Sequence, residues 1–457
     1  MINRTLAQLK DMIQIENDVI AFAEVAINGV SIDSRKIARG NLFVPFKGEH
    51  SDGHRFVEEA LKKGASAALW QKDVPNPPLH LPVLIVEDTL TALQELSRSY
   101  RNQLDVKVVG ITGSNGKTTV KDMTTKLLSL KYKVQKTEGN YNNHIGLPLT
   151  VLSLDEDTEI AVLEMGMSSK GEIDFLSRLA RPNAVIITNI GESHLQDLGS
   201  REGIAEAKLE IINGLQENGL IVYLGDEPLL QQKLRDFTGG SVIRTFGRES
   251  GNDVYPLQIN SNHSGSTFKI NEDDTEIHLP VLGFHNILNA LCAMLTANYF
   301  NIPYAKMNEG FADLKLTNMR MEMVEGQNGV KVINDAYNAS PTSMRAAIDL
   351  VSTLPGFTTK ILVLGDMLEL GEKEEEFHFA IGQSIDPQGV DYVFTFGNLG
   401  RSIAAGVKSV LSEERVFSFT EKDSLIETLK NYLDSNTLVL VKASRGMKLE
   451  EVVTALT

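Results

Sequence analysis

The chain has 457 residues, more than one hydrophobic core usually serves, so two to four domains are expected. Its 42% hydrophobic and 23% charged residues describe an ordinary folded protein and exclude a disordered or fibrous one. A formal net charge of −16 argues against a general nucleic-acid binder, and a single cysteine, Cys292, excludes an intrachain disulfide framework and a cysteine-based zinc site.

The stretch MINRTLAQLKDMIQI interrupts its apolar residues with Asn3, Arg4, Lys10 and Asp11, which is unlike a signal peptide. No apolar run approaches the roughly 20 residues of a membrane span, and the expectation is a cytoplasmic, soluble protein. Up to about Arg101, short apolar runs such as NLFVPFKG and LPVLIVED alternate with a helical segment, FVEEALKKGASAAL, and predict a small α/β unit. From Val106 the buried-strand candidates VKVVGIT, EIAVLEMG and NAVIITNI are each followed by a polar turn and a helix-period segment. Uniformly apolar strands alternating with helices imply a parallel sheet covered on both faces. The texture restarts near Met319, with VKVINDAY, TKILVLGDM, VDYVFTFGN, RVFSFT and TLVLVKAS as strands and SMRAAIDLVSTL, EEEFHFAIGQSI and SLIETLKNYL as helices. The reading is therefore α/β with three domains: a small N-terminal unit over 1–97, a central parallel-sheet P-loop domain over 98–316, and a Rossmann-like doubly wound domain over 317–457.

The chemistry is densest in VVGITGSNGKTT. Its glycine spacing departs from the strict Walker pattern, since five residues separate Gly110 from Gly116 and the nearer partner is Gly113, but the ending GKTT is intact. Glycines let backbone N–H groups of Gly113, Ser114, Asn115 and Gly116 turn inward at phosphate oxygens, and the following helix N-terminus adds partial positive charge. Lys117 is placed to pair with the β and γ phosphates, Thr118 to offer its hydroxyl to a magnesium ion, and Thr119 completes the motif. Glu164, where EIAVLEMG meets Gly166, is a carboxylate for the same magnesium. His194, after NAVIITNIGES, lies where open parallel sheets collect ligand-binding groups. In REGIAEAKLEIING, Glu206, Lys208 and Glu210 read on spacing alone as a solvated charged face. Asn286 and Asn289 in GFHNILNAL share a helix face and could cap the helix or bind a base. In INDAYNASPTSMRAAI, Ser340 and Pro341 are an N-cap and first-turn proline, whereas Asp335, Tyr337 and Asn338 exceed what a turn requires and could hold adenine and ribose.

Taken in order, GITGSNGKTT, EGNYNNHIGLPLT, LEMGMSSKGEID, TNIGESHLQDLGS, GFHNILNAL, INDAYNASPTSMRAAI, VLGDMLELGEKEEEFH and KASRGMKLEEVV resemble the Mur ligase family of ATP-dependent amide-bond-forming enzymes, over nearly the whole chain. The resemblance implies UDP-N-acetylmuramoyl-tripeptide and D-alanyl-D-alanine as substrates, ATP and Mg2+ as cofactors, and a monomer that binds neither nucleic acid nor membrane. It assigns Lys117 to the phosphates, and Thr118, Glu164 and His194 to magnesium. It assigns Asn286, Arg320, Asp335, Tyr337 and Asn338 to ATP, and Asn140, Asn142 and Asn143 to the sugar nucleotide. The segment SIDSRKIARGNLFVPFKGEHSDGH is similar to the family segment that holds the UDP end, which implicates Ser34, Arg35, Asp52 and His54. The resemblance also reverses the reading of Lys208, whose family counterpart is carbamylated into a magnesium-holding anion. Ser444 and Arg445, at the end of the last strand, are candidates for the dipeptide by position, and a plain strand-to-helix turn explains them equally well. The implied reaction phosphorylates a peptide carboxylate and lets an amine displace phosphate. Rival readings are a folylpolyglutamate synthetase-like ligase, which SIDSRKIARGNLFVPFKG argues against, a P-loop ATPase without an acyl acceptor, and a binding protein that keeps the fold without catalysis.

Overall fold

In KVVGIT, β-branched residues dominate and every residue after Lys107 is buried, as the central strand of a sheet covered on both faces requires. The computed structural model, which describes residues 1–48, 51–235, 237–262 and 264–457, places Lys107–Thr112 inside a six-stranded parallel sheet. The order across it is Val242–Phe246, Leu220–Leu224, Ala184–Ile187, Lys107–Thr112, Ile160–Glu164, Val134–Lys136. The carboxyl ends of the three middle strands therefore lie side by side, which is where such sheets build sites. Sequence reading missed a three-stranded antiparallel sheet, Pro256–Asn262, Gly265–Ile270 and Asp273–Leu279, whose first strand is largely exposed and carries little apolar signal.

The N-terminal unit holds a four-stranded parallel sheet ordered Val30–Ser31, Leu42–Phe43, Ala67–Gln71, Val83–Val86. Only half of FVEEALKKGASAAL is helical, over Val57–Lys62. Gly64 then turns at φ +116°, a conformation open to glycine, and Ala67–Gln71 pairs between two neighbouring strands. A run of small residues suits either state, and the sheet decides. The helix Thr89–Gln103 is capped by Asp88, whose carboxylate accepts from the Thr91 N–H. It joins the first two units: Tyr100 Oη donates to the Leu154 carbonyl at 2.8 Å and Arg101 Nε to that of Ala180 at 2.8 Å. Leu93, Leu96 and Tyr100 sit in one continuous core with Val108, Leu163 and Val185 of the central sheet, each such buried side chain contributing about 1.5–3 kcal/mol. A division at residue 98 would cut this helix in its middle, and the chain leaves it only at Leu104.

The third unit is a six-stranded sheet ordered Glu322–Glu325, Lys331–Asp335, Thr437–Lys442, Thr359–Gly365, Tyr392–Phe396, Val416–Phe419, parallel except for its first strand. The helices Pro341–Thr353, Glu374–Gln383 and Lys422–Lys430 fall where expected, and Gly400–Val407 is an additional one. Ser340 caps Pro341–Thr353 by accepting from the Ser343 N–H, with proline in the first turn. The connection into this unit is pinned at Thr317, whose N–H and Oγ1 donate to Asp122 Oδ2 at 2.9 and 2.8 Å. Among the described residues no helix is long and apolar enough to cross a membrane.

Candidate functional site

Strand ends of the central and third sheets border one cavity of about 560 Å³. Its floor is the turn after Lys107–Thr112. Gly113 has φ +147° and a Cβ there would lie 1.8 Å from Thr188 Oγ1; Gly116 has φ +81° and a Cβ would lie 2.6 Å from Asn289 Oδ1. Both positions therefore demand glycine on conformational and spatial grounds. Gly110 is an interior strand residue outside the turn. The turn is braced from just beyond the strand beside it: the Ser114 N–H donates to the Asn189 carbonyl at 3.0 Å and the Asn115 N–H to Asn189 Oδ1 at 3.0 Å, so these two N–H groups, expected to face phosphate, are turned to the protein instead. The helix Lys117–Leu128 that follows has no side-chain cap, which leaves its first N–H groups to serve a ligand.

Lys117 Nζ donates to the Gly113 carbonyl at 2.8 Å, across the mouth of the turn. Burial lowers its pKa, opposed by the Coulombic pull of Glu164. Thr118 Oγ1 donates to Glu164 Oε2 at 2.9 Å, and Asn142 Nδ2 to Glu164 Oε1 at 2.8 Å, so a hydroxyl, a buried carboxylate and the asparagine-rich loop meet at one point. Asn140 and Asn143 line the same cavity, and Asn143 Oδ1 also accepts from the Gly146 N–H at 2.8 Å. Thr119 lines it as well.

Lys208 overturns its reading as part of a solvated face. It is 2% exposed and lines the cavity, and its side chain makes no hydrogen bond or ion pair among the described residues. Burial first, and Lys117 second, push its pKa well below the ordinary lysine value. The solvated face of that helix belongs to Glu206, which pairs with Lys170 and Lys233. His194 sits in the left-handed region at φ +63°, with Nδ1 2.9 Å from Glu369 Oε2 but outside hydrogen-bond geometry. Burial lowers its pKa and Glu369 opposes that shift.

The far wall comes from the third unit. Asp335 Oδ2 is 2.5 Å from Lys442 Nζ, and Lys442 also donates to the Asn338 carbonyl at 3.0 Å. Arg320 lies over the Tyr337 ring, 4.2 Å from its centroid, between the left-handed residues Met319 and Met321. Asn286 Nδ2 donates to the Leu282 carbonyl and Asn286 Oδ1 accepts from Asn289 Nδ2, so this pair braces the helix start while Asn286 borders the cavity. Three buried side-chain polar atoms here have no partner among the described residues: Asn115 Nδ2, His194 Nδ1 and Arg320 Nε. Unpaired buried polar atoms are costly in a finished interior and expected where a ligand docks.

Six expected residues lie away from this cavity, and Gly113 shapes its floor turn without lining it. His54 is buried, with Nδ1 2.6 Å from Asp52 Oδ1 and Nε2 accepting from the Gln71 N–H at 3.0 Å, so both ring nitrogens are spent on the protein. Asp52 caps the turn Gly53–Phe56. Arg35 pairs with Asp33 on the surface, and the Ser34 carbonyl accepts from Lys63 Nζ. Ser444 is buried and its Oγ accepts from the Leu368 N–H at 2.9 Å, an internal tie of the third unit. Arg445 pairs with Glu450. Sequence reading missed Lys442 and Glu369; each stands at or just beyond a strand end, in TLVLVKAS and VLGDMLELG, which is the signal that would have found them.

An N-terminal α/β unit followed by a P-loop sheet and a doubly wound third unit that together border one cavity is the architecture of a class of ATP-dependent ligase. The descriptions "Mur ligase family, catalytic domain", "Mur ligase middle domain" and "Mur ligase, glutamate ligase domain" match residues 26–101, 111–297 and 319–445. The UDP-N-acetylmuramoyl-tripeptide--D-alanyl-D-alanine ligase of Bacillus subtilis (strain 168) is 51% identical over 453 residues, covering 99% of this chain and 98% of that relative. A crystal structure of MurF from Acinetobacter baumannii superposes with a TM-score of 0.88 at 27% identity, covering 99% and 98% of the two chains. The MurF ligase of Thermotoga maritima in complex with ADP gives 0.82 at 29% identity, covering 94% and 96%. The chain belongs to the Mur ligase family.

Proposed function

We propose that this chain is an ATP-dependent, ADP-forming ligase that joins D-alanyl-D-alanine to UDP-N-acetylmuramoyl-tripeptide, giving the pentapeptide precursor of peptidoglycan. The observation that carries the reading is the single cavity in which Lys117, the Thr118–Glu164 pair and buried Lys208 face Arg320 and Tyr337. A peptide carboxylate is a poor electrophile. Its oxygen attacks the γ-phosphorus of ATP, ADP leaves, and the dipeptide amine then attacks the acyl carbon and expels phosphate. Lys117 neutralises charge growing on the transferring group, the open N–H groups of Lys117–Leu128 hold phosphate oxygens, and the enclosing walls keep water from the acyl phosphate.

We assign Gly113, Ser114, Asn115, Gly116, Lys117, Thr118 and Thr119 to the phosphates and Asn286, Arg320, Asp335, Tyr337 and Asn338 to the rest of ATP. Asn140, Asn142 and Asn143 are assigned to the sugar nucleotide, whose UDP end faces the N-terminal unit. No cluster of three His, Cys, Asp or Glu exists among the described residues, but magnesium asks for little protein: one or two carboxylates, a hydroxyl, phosphates and waters. Thr118 and Glu164 fit that demand, with His194 and Lys208 on the same cavity. When bound, magnesium supplies charge neutralisation at the phosphate oxygens. Only a neutral amine adds carbon dioxide, and the depressed pKa of Lys208 favours that form, which supports its carbamylation. The protein is read as a cytoplasmic monomer with divisions near 98 and 317, the first better drawn at Leu104.

The test is phosphate release with ATP and magnesium, adding the UDP-muramoyl-tripeptide and D-alanyl-D-alanine separately and then together, with mass analysis of the product. Release that needs both and yields pentapeptide supports the ligase; release independent of both points to an ATPase.

A further inference from the structure

The segment Gly191–Gln196 carries His194 into the cavity, and it is fastened to the third unit on both sides of that histidine. On one side, Glu192 Oε2 accepts from Thr342 Oγ1 at 2.8 Å and from the Thr342 N–H at 3.2 Å, in the first turn of Pro341–Thr353. On the other, the Gln196 N–H donates to the Glu369 carbonyl at 3.2 Å. His194 and Glu369 both hold left-handed backbone, at φ +63° and +65°, and non-glycine residues keep that conformation only where the surroundings over-determine it. The same helix end touches the phosphate turn, where Ser340 Oγ donates to Asn115 Oδ1 at 3.2 Å.

We infer that Glu192 is a positioning residue that converts docking of the third unit into placement of His194. With Thr342 engaged, only one residue separates the Glu192 anchor from His194, so the imidazole is fixed when the third unit is seated and released when it leaves. Phosphoryl transfer is thereby confined to the docked arrangement, in which the acyl phosphate is shielded from water. The inference rests on the ligase reading, which the parent protein's requirement for both substrates tests separately.

The test compares Glu192→Ala, Glu192→Gln, Thr342→Val and the Ala/Val double variant in the full chain, measuring kcat, the dissociation constant of a fluorescent ADP analogue and the melting temperature. Glu192 is exposed enough for replacement to leave the core untouched. Glu192→Ala is expected to lower kcat at least tenfold with the nucleotide constant within twofold and the melting temperature unchanged. Glu192→Gln, which keeps an oxygen acceptor, should recover most of that loss, and Thr342→Val should add nothing to Glu192→Ala. A kcat for Glu192→Ala within twofold of the parent overturns the inference, as does a loss that Gln fails to rescue, one that follows nucleotide binding or melting, or one that multiplies with Thr342→Val.

Discussion

Replacing Lys208 with methionine separates what this side chain does for chemistry from what it does for folding. Lys208 is 2% exposed, has no ion-pair partner among the described residues and lies near a second buried cation, Lys117. Its folded pKa is depressed, by burial first and Lys117 second. The sign follows directly: a lysine that prefers to be neutral in the fold opposes folding at neutral pH, and the penalty fades only as pH rises toward the ordinary lysine value. Methionine has similar length and no charge to desolvate. Exchanging buried charged groups for packed apolar ones often stabilises by about 1–4 kcal/mol, and even the lower figure moves the melting temperature of a domain this size by about 2–4 °C. Ligation should fall about 10²–10³-fold, the typical loss when one preorganised charge-stabilising group is removed from a reacting centre. The assay is thermal unfolding at pH 7 in bicarbonate-free buffer beside the two-substrate phosphate-release measurement. A melting temperature that drops by several degrees would show that the amine is structurally paired, and turnover within threefold of the parent would refute its catalytic assignment.

Three other perturbations probe the same cavity. Lys117→Ala removes a charge-assisted contact to phosphate of about 1.5–3 kcal/mol and should lower ligation by at least about 10- to 150-fold in the coupled assay, while near-normal turnover would remove Lys117 from the mechanism. Gly113→Ala puts a Cβ 1.8 Å from Thr188 Oγ1 at φ +147°, so calorimetric titration with ADP should show at least a tenfold weaker complex and unfolding should cost about 1–3 kcal/mol of stability; unchanged ADP affinity would mean the turn is not the phosphate cradle. His285 is held neutral by burial, with its pKa lowered to about 4 against an opposing pull from Asp335. The unfolded chain therefore takes up a proton near pH 6.5 that the fold resists until about pH 4, and stability lost across that window should approach about 3 kcal/mol. Denaturant titrations of His285→Gln should show a flatter pH dependence between those limits, and an identical slope would place the acid sensitivity elsewhere.

The phosphate turn was legible because GSNGKTT between an apolar strand and a helix-period segment is a local signal, although the folded turn is also braced by Asn189, which that signal does not include. Glu164 was legible as a carboxylate closing an apolar strand. Lys208 was not, because Glu206 and Lys208 are two residues apart on a helix and so point about 200° away from each other, one to solvent and one to the cavity. Composition cannot tell which of the two directions is inside; only resemblance marked the lysine. Asp335 was read as a group that could hold adenine or ribose, but its pairing with Lys442, from a strand 107 residues further on, was not visible. His54 and Ser444, expected at a ligand, also satisfy backbone groups of their own units, ties that no local sequence pattern shows. The antiparallel sheet over 256–279 escaped notice because an exposed strand needs no apolar alternation to exist.

An acidic chain that grips anions is consistent once charge is considered at the scale of the cavity. At physiological ionic strength, exposed charges are screened beyond about 8 Å, so the surplus carboxylates of a −16 surface contribute little at a buried floor. What a phosphate meets there is local. Lys442 is neutralised by Asp335, and Glu164 is occupied by Thr118 and Asn142, but Lys117 and Arg320 have no carboxylate in ion-pair contact among the described residues. Such cations are expensive in an interior of low dielectric, and for the same reason each interacts strongly with a charge brought in beside it. Lys117 carries the sign of that cost, since burial first lowers its pKa. On the proposed assignment, uncompensated cations at the cavity rather than the net charge of the chain would favour a polyanion, so the sign of the ligand need not follow the sign of the chain.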